Sequence, residues 1–327
     1  IIGKKIEKMN PRILEIFAIN KILTGCKKWL SEMTKSKFLR ELENESIFIL
    51  REVVAEFNNP VMLYSVGKDS SVMLHLARKA FYPGKIPFPL LHVDTGYKFR
   101  EMYEFRDTFT KEIGAKLIVH RNEEAISDGA HPSKLGVAKC CGALKTQALL
   151  DALDKHSFDA AIGGARRDEE RSRAKERIFS FRDSFGQWNP KSQRPELWNI
   201  FNASIDEGES VRIFPLSSWT EVDIWNYIKE EEIKIVPLYF SKKRKVIQKG
   251  NSLIPAENLD SEKNVKEVLS RFRTLGCSPC TGAIESDASN IDMIVKEAVS
   301  ATRSERENRI IDHGTNTMED KKKEGYF

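Results

Sequence analysis

Residues 65–71 read Ser-Val-Gly-Lys-Asp-Ser-Ser, between an apolar run at 61–64 and an amphipathic stretch at 72–81. Hydroxyls, a glycine and an ammonium at a strand-to-helix turn are the parts of an anion cradle. Backbone N–H groups converge there, the helix start is electropositive, and Lys68 supplies countercharge. Ser65 ends the strand, Gly67 keeps a side chain out of the approach, and Ser70 and Ser71 open the helix with hydroxyl as well as N–H donors. The same residue types also serve ordinary capped helix starts. Two better-known phosphate loops are excluded: the spacing fits neither Gly-x4-Gly-Lys-Ser/Thr nor the three-glycine dinucleotide fingerprint.

The elements that must position this turn are legible as patterns. Phe38, Leu39, Leu42, Ile47, Ile49, Leu50, Val53, Val54 and Phe57 recur mostly at spacings of three and four, which predicts an amphipathic helix ending before Asn58-Asn59-Pro60. Four short apolar runs follow, Val-Met-Leu-Tyr-Ser, Pro-Leu-Leu-His-Val-Asp, Lys-Leu-Ile-Val-His-Arg and Asp-Ala-Ala-Ile-Gly-Gly. Each meets a polar turn, and at least the first three then enter a helical pattern, so the expected fold is α/β with a doubly wound, mostly parallel sheet. Ligands of such sheets bind beyond the carboxyl ends of strands, which directs attention to 65–71, 94–100 and 163–171. Thr220 precedes an apolar-periodic stretch with Asp223 in its first turn and is expected to cap it. Trp219, Ile224, Trp225 and Ile228 are expected to pack in the core. The basic stretch 241–264 reads as an exposed loop, and a smaller helical or irregular C-terminal region follows. The domain division expected is 1–34 as an extension, 35–235 as the catalytic domain, and 236–327 as a C-terminal region contacting a partner.

Composition narrows the class. The 327 residues are 40% hydrophobic and 31% charged, with a formal net charge of +5, and no apolar run approaches the length of a membrane span. Basic residues are not interleaved with aromatics as on a nucleic-acid surface, so neither nucleic acid nor membrane is expected as a partner. Five cysteines, Cys26, Cys140, Cys141, Cys277 and Cys280, favour reduced thiols and a cytoplasmic location. The first 33 residues mix Lys with apolar residues, but Glu7 and Glu15 interrupt a targeting pattern, and an appended leader is the simpler expectation.

The loop resembles the pyrophosphate-binding loop of the PP-loop ATP-pyrophosphatase superfamily, whose members cleave ATP between its α and β phosphates. The stretch 60–107 is similar to the small-subunit family of the two-subunit bacterial sulfate adenylyltransferases. The segments 163–183, 189–202, 213–225, 271–277 and the closing Lys-Lys-Lys-Glu-Gly-Tyr-Phe extend that similarity over roughly 35–327. The resemblance implies an adenine nucleotide α-hydrolase-like fold and conversion of ATP and sulfate to adenosine 5′-phosphosulfate and pyrophosphate. Magnesium would accompany ATP, and GTP would be hydrolysed on a separate large GTPase subunit in a hetero-oligomer.

Under that resemblance Ser65, Gly67, Lys68, Ser70 and Ser71 face the β- and γ-phosphates. Asp69 either orients the loop or meets magnesium. Asp94 and Thr95 meet the ribose or adenine edge, Asp94 alternatively capping the next helix. Arg166 and Arg167 follow the Gly163-Gly164 pair, and their guanidinium forks suit sulfate or the α-phosphate. Arg173, Lys175 and Glu176 read as a solvated helix face. The catalytic set is thus Lys68, Arg166 and Arg167.

Cys140, Cys141, Cys277 and Cys280 would suit zinc or an iron–sulfur cluster if they converged, and buried hydrophobic thiols if not. An adjacent pair with a later Cys-x-x-Cys also resembles iron–sulfur adenylyl-sulfate reductases. Those enzymes need a further nucleophilic cysteine near the C-terminus, and none follows Cys280. A non-catalytic scaffold for the GTPase, and amide or thiolation chemistry through an adenylylated acceptor, are the other rivals.

Overall fold

The four apolar runs form adjacent parallel strands: β1 Pro60–Leu63, β2 Leu90–Val93, β3 Leu117–His120 and β4 Ala160–Ile162. In this computed structural model the described residues are 37–169, 171–249, 252–256, 265–301 and 304–306. The leader before Met33 and the closing run of the chain lie outside them. The chain divides into two compact units, 1–44 and 45–327.

Two further strands, β5 Phe179–Arg182 and β6 Ser210–Ile213, complete a six-stranded sheet of order β3-β2-β1-β4-β6-β5, with β5 antiparallel at the edge. Strand order reverses at β1, with β2 and β3 on one side and β4 on the other. The crevice beyond the carboxyl ends of β1 and β4 is therefore the topological switch point. Val61, Met62 and Ala160–Ile162 are fully buried, as expected of central parallel strands covered on both faces. Leu149, Leu153 and Phe158 pack with Val61, Leu91 and Ala161 in one of the clusters beneath the sheet.

The periodicity at 38–57 folds as a helix over 37–56, and Leu39, Leu42, Ile49, Leu50 and Val53 are buried. Ser46 accepts a bond from the Trp219 indole and donates to the Pro215 carbonyl, at 3.0 and 2.7 Å. Thr220 caps the helix Glu221–Glu230 through a reciprocal capping box with Asp223, worth about 1 kcal/mol. Trp219, Ile224, Trp225 and Ile228 are core residues.

The reading of 241–264 as an exposed loop is corrected. β7 Lys242–Lys249, β8 Ser252–Pro255, β9 Val265–Arg271 and β10 Ile284–Glu285 form an antiparallel sheet of order β10-β9-β7-β8. The dense charge hid it: Lys245 of β7 lies opposite Glu267 of β9, so the charges decorate a ladder, while Val246 and Ile254 are buried. Within that stretch 250–251 and 257–264 lie outside the described residues. The helix Ile291–Ser300 and irregular turns make up most of the remaining described C-terminal region. Among the described residues no helix is long and apolar enough to cross a membrane.

Candidate active site

The turn after β1 takes four residues to pass from strand to helix. Tyr64 still donates to the Leu91 carbonyl at 2.8 Å, and the helix Lys68–Phe81 begins with Gly67 at its N-cap. The reversal falls on Val66, whose φ of 65° is left-handed and costs a β-branched residue on the order of 1–3 kcal/mol. Gly67 has φ −83° and ψ 172°, a conformation open to any residue, so its bare Cα serves the cavity it lines and not the turn. Gly164, beyond β4, matters differently. A Cβ there would lie 3.3 Å from the Asp69 Cβ and 3.5 Å from the Ser70 nitrogen, so strand end and helix start approach closely.

Ser65 and Ser70 hydroxyls lie 3.3 Å apart, and Ser70 also donates to the Gly67 carbonyl at 3.0 Å. The Lys68 N–H donates to the Tyr239 hydroxyl at 2.7 Å, a partner the sequence reading did not single out. Lys68 and Ser71 are buried. Burial alone would lower the Lys68 pKa, but the carboxylates of Asp69 and Glu305 outweigh it and raise the pKa above the ordinary lysine value. Lys68 stays an ammonium.

Arg166 is brought to this loop and Arg167 is turned from it. Arg166 is fully buried, donating from Nε to Asp69 Oδ1 at 2.8 Å and from Nη2 to Glu305, with Asp168 3.7 Å from Nη1. Asp69 in turn accepts from Lys68 Nζ at 3.1 Å and so bridges both cations. Arg167 is partly exposed, 3.9 Å from Glu196, and donates its backbone N–H to Ser217.

A cavity of about 220 Å³ opens over the loop. Leu63, Leu91, Val93 and Leu149 give it an apolar flank, and five cationic side chains against two carboxylates give it a positive one. The cations are Lys68, Lys98, Lys145, Arg173 and Arg306; the carboxylates are Asp69 and Glu169. The solvated-face reading is corrected for two residues. Arg173 donates to Glu169 at 2.6 Å, and buried Glu176 accepts from Ser180 and Arg182. The helix there spans only Arg171–Ala174, too short to present a face.

Asp94 and Thr95 lie just beyond β2 but do not line the cavity. Asp94 accepts from the Gly96 N–H, the Tyr103 hydroxyl and Arg121, at 2.9, 2.7 and 2.8 Å, and these donors overcome burial to lower its pKa. The next helix starts at Arg100 with Phe99 at its N-cap, so Asp94 does not cap it. Thr95 Oγ1 lies 3.2 Å from Cys277 Sγ.

All four described cysteines are buried and free of disulfides. Burial, then Cys141 and Cys277, pushes the Cys140 thiol up to about 11, and burial, then Cys277 and Cys141, pushes Cys280 up to about 12. The four lie near enough to one another for their charges to interact. Among the described residues no group of three or more His, Cys, Asp or Glu is arranged to hold a metal ion.

A family profile described as "Phosphoadenosine phosphosulfate reductase domain" matches residues 59–283, which span all six strands of the sheet and the loop after β1. "Sulfate adenylyltransferase subunit 2" of Saccharophagus degradans is 59% identical over 298 residues, covering 90% of this chain and 98% of its own length. The protein of that name from Phocaeicola vulgatus is 59% identical over 303 residues, covering 91% and 100%. That from Myxococcus xanthus is 57% identical over 307 residues, with the same coverage. Matched over more than half its length by that family profile, and over nine-tenths of it by these relatives, the chain belongs to the phosphoadenosine phosphosulfate reductase domain family and, within it, to the sulfate adenylyltransferase subunit 2 family.

Proposed function

We propose that this chain carries the adenylyl-transfer site of a sulfate adenylyltransferase, converting ATP and sulfate to adenosine 5′-phosphosulfate and pyrophosphate in sulfate activation. One observation carries the reading: the 65–71 loop and Arg166 gather buried cations and helix-start donors at the crevice where β1 and β4 diverge. A sulfate oxygen must approach the α-phosphorus in line with departing pyrophosphate. The protein therefore has to hold two repelling anions together and stabilise charge on the leaving group. The loop, with Ser65, Lys68, Ser70 and Ser71, takes the β- and γ-phosphates and receives that charge as the α–β bridge breaks. The apolar flank of Leu63, Leu91, Val93 and Leu149 suits the adenine.

Arg166 is assigned to the sulfate or α-phosphate, being the arginine joined to the loop. Arg167 is placed outside the clamp, on Glu196. Asp94 and Thr95 act indirectly, shaping the turn that leads to Lys98 at the cavity. Asp69, occupied by Lys68 and Arg166, orients the loop, and magnesium enters as part of the substrate, bound to the phosphates of ATP. The product is a mixed anhydride whose formation is strongly uphill, so an energy source has to be coupled to it. The relatives are named as a second subunit, which supports an assembly of more than one chain. The partner proposed is a GTPase, contacting the region 236–327, with GTP bound on that subunit alone.

ATP–pyrophosphate exchange tests the reading. Exchange should require sulfate, stay weak with this chain alone, and rise with the GTPase subunit and GTP. Exchange indifferent to sulfate would remove the proposed substrate, and full activity without GTP would remove the coupling.

A further inference from the structure

Lys68 and Arg166, the two buried cations of the cradle, are both already engaged by one carboxylate from far along the chain, Glu305. Glu305 is not needed to join them, because Asp69 bridges Lys68 Nζ at 3.1 Å and Arg166 Nε at 2.8 Å. Its oxygens meet the same Lys68 ammonium and, on Arg166, Nη2, a donor that Asp69 leaves to it. The segment carrying it is tied to the cavity wall by Glu169, whose carbonyl accepts from the Ser304 hydroxyl at 2.9 Å. The Glu169 carboxylate accepts from Arg306 at 3.0 Å, and Arg306 lines the cavity. An acid from the C-terminal region thus sits where two cations would otherwise meet a ligand's oxygens.

We propose that Glu305 is an internal competitor for the anionic substrate: it fills the oxyanion subsite between Lys68 and Arg166 and is displaced when a phosphate or sulfate group binds there. The inference rests on reading the 65–71 loop as the anion cradle. The physics makes the competitor weak enough to leave. Burial raises the Glu305 pKa even beside two cations, so its ionised form is held at a cost. A phosphate group brings more charge and a third oxygen to the same donors.

The test is calorimetric titration of inorganic pyrophosphate into the full chain and into Glu305→Gln. Removing the competing charge should tighten binding by about tenfold or more, since each charge-assisted bond that the ligand no longer has to break is of that order. A folded Glu305→Gln variant with unchanged or weaker affinity would overturn the proposal while leaving the cradle intact. If neither protein binds pyrophosphate, the cradle reading falls and this one with it. A second measurement covers a variant that fails to fold: hydrogen exchange at 304–306 in the wild-type chain should accelerate on saturation with pyrophosphate. Unchanged or slower exchange would also overturn the proposal.

Discussion

Replacing Arg166 with Lys separates the cradle from a merely structural ion cluster. The guanidinium donates from Nε to Asp69 at 2.8 Å and from Nη2 to Glu305, two directions at once from a fully buried side chain. A lysine ammonium keeps the charge but cannot reproduce the planar fork. At least one charge-assisted bond is lost, worth about 1.5–3 kcal/mol when buried. If the lost bond is one that a transferring anion uses, sulfate-dependent ATP–pyrophosphate exchange should fall roughly 10- to 150-fold. The assay is run on the complex with the partner subunit, beside a thermal melt that reports folding. Arg167→Lys is the control: its side chain is partly exposed and 3.9 Å from Glu196, so exchange should drop by less than about threefold. A folded Arg166→Lys protein with wild-type exchange, or a larger loss from Arg167→Lys, would refute the assignment.

Tyr239→Phe removes the hydroxyl that accepts the Lys68 N–H at 2.7 Å; stability should fall by about 1–2 kcal/mol in denaturant titration and KM for ATP should rise. An unchanged KM would remove Tyr239 from the loop's support. Gly164→Ala puts a methyl 3.3 Å from the Asp69 Cβ, displacing strand end or loop, and turnover should drop roughly tenfold with secondary structure unchanged by circular dichroism. His92 is held neutral: burial, then Lys98, pushes its pKa down to about 4, with Nδ1 2.8 Å from the Tyr64 carbonyl. The unfolded chain, with an ordinary pKa near 6.5, takes the proton first, so this contribution is complete above that pH and is lost as pH falls toward 4. The loss is roughly 3 kcal/mol, and His92→Gln should flatten stability-versus-pH curves through that window.

Legibility followed the range of the interactions. The strands β1, β2 and β4 were readable because interior parallel strands are continuous apolar runs, the edge strand β3 because it carries a short apolar run of its own, and Thr220 because a capping box is complete within four residues. β5 and β6 escaped because each carries an arginine that reads as solvent-facing. Arg182 and Arg212 are instead buried beside Glu176, and burial, then Arg182, draws the Arg212 pKa down to about 9. β7 escaped because its run of basic residues reads as a solvated loop, and only the pairing with β9, with Lys245 opposite Glu267, reveals a strand.

The sequence by itself determined the strand-to-helix turn at 65–71, its place after the first strand, and the superfamily whose loop it resembles. All of these rest on residues adjacent in the chain, where turn chemistry and helix-start electrostatics operate. Only the tertiary structure decided which residue bears the backbone strain, Val66 and not Gly67. It also decided which arginine reaches the loop, and that Tyr239 and Glu305 come to it from 171 and 237 residues away. Tertiary packing sets those meetings, and burial makes them strong: out of water, one carboxylate between two cations cannot be ignored, and no local pattern announces it.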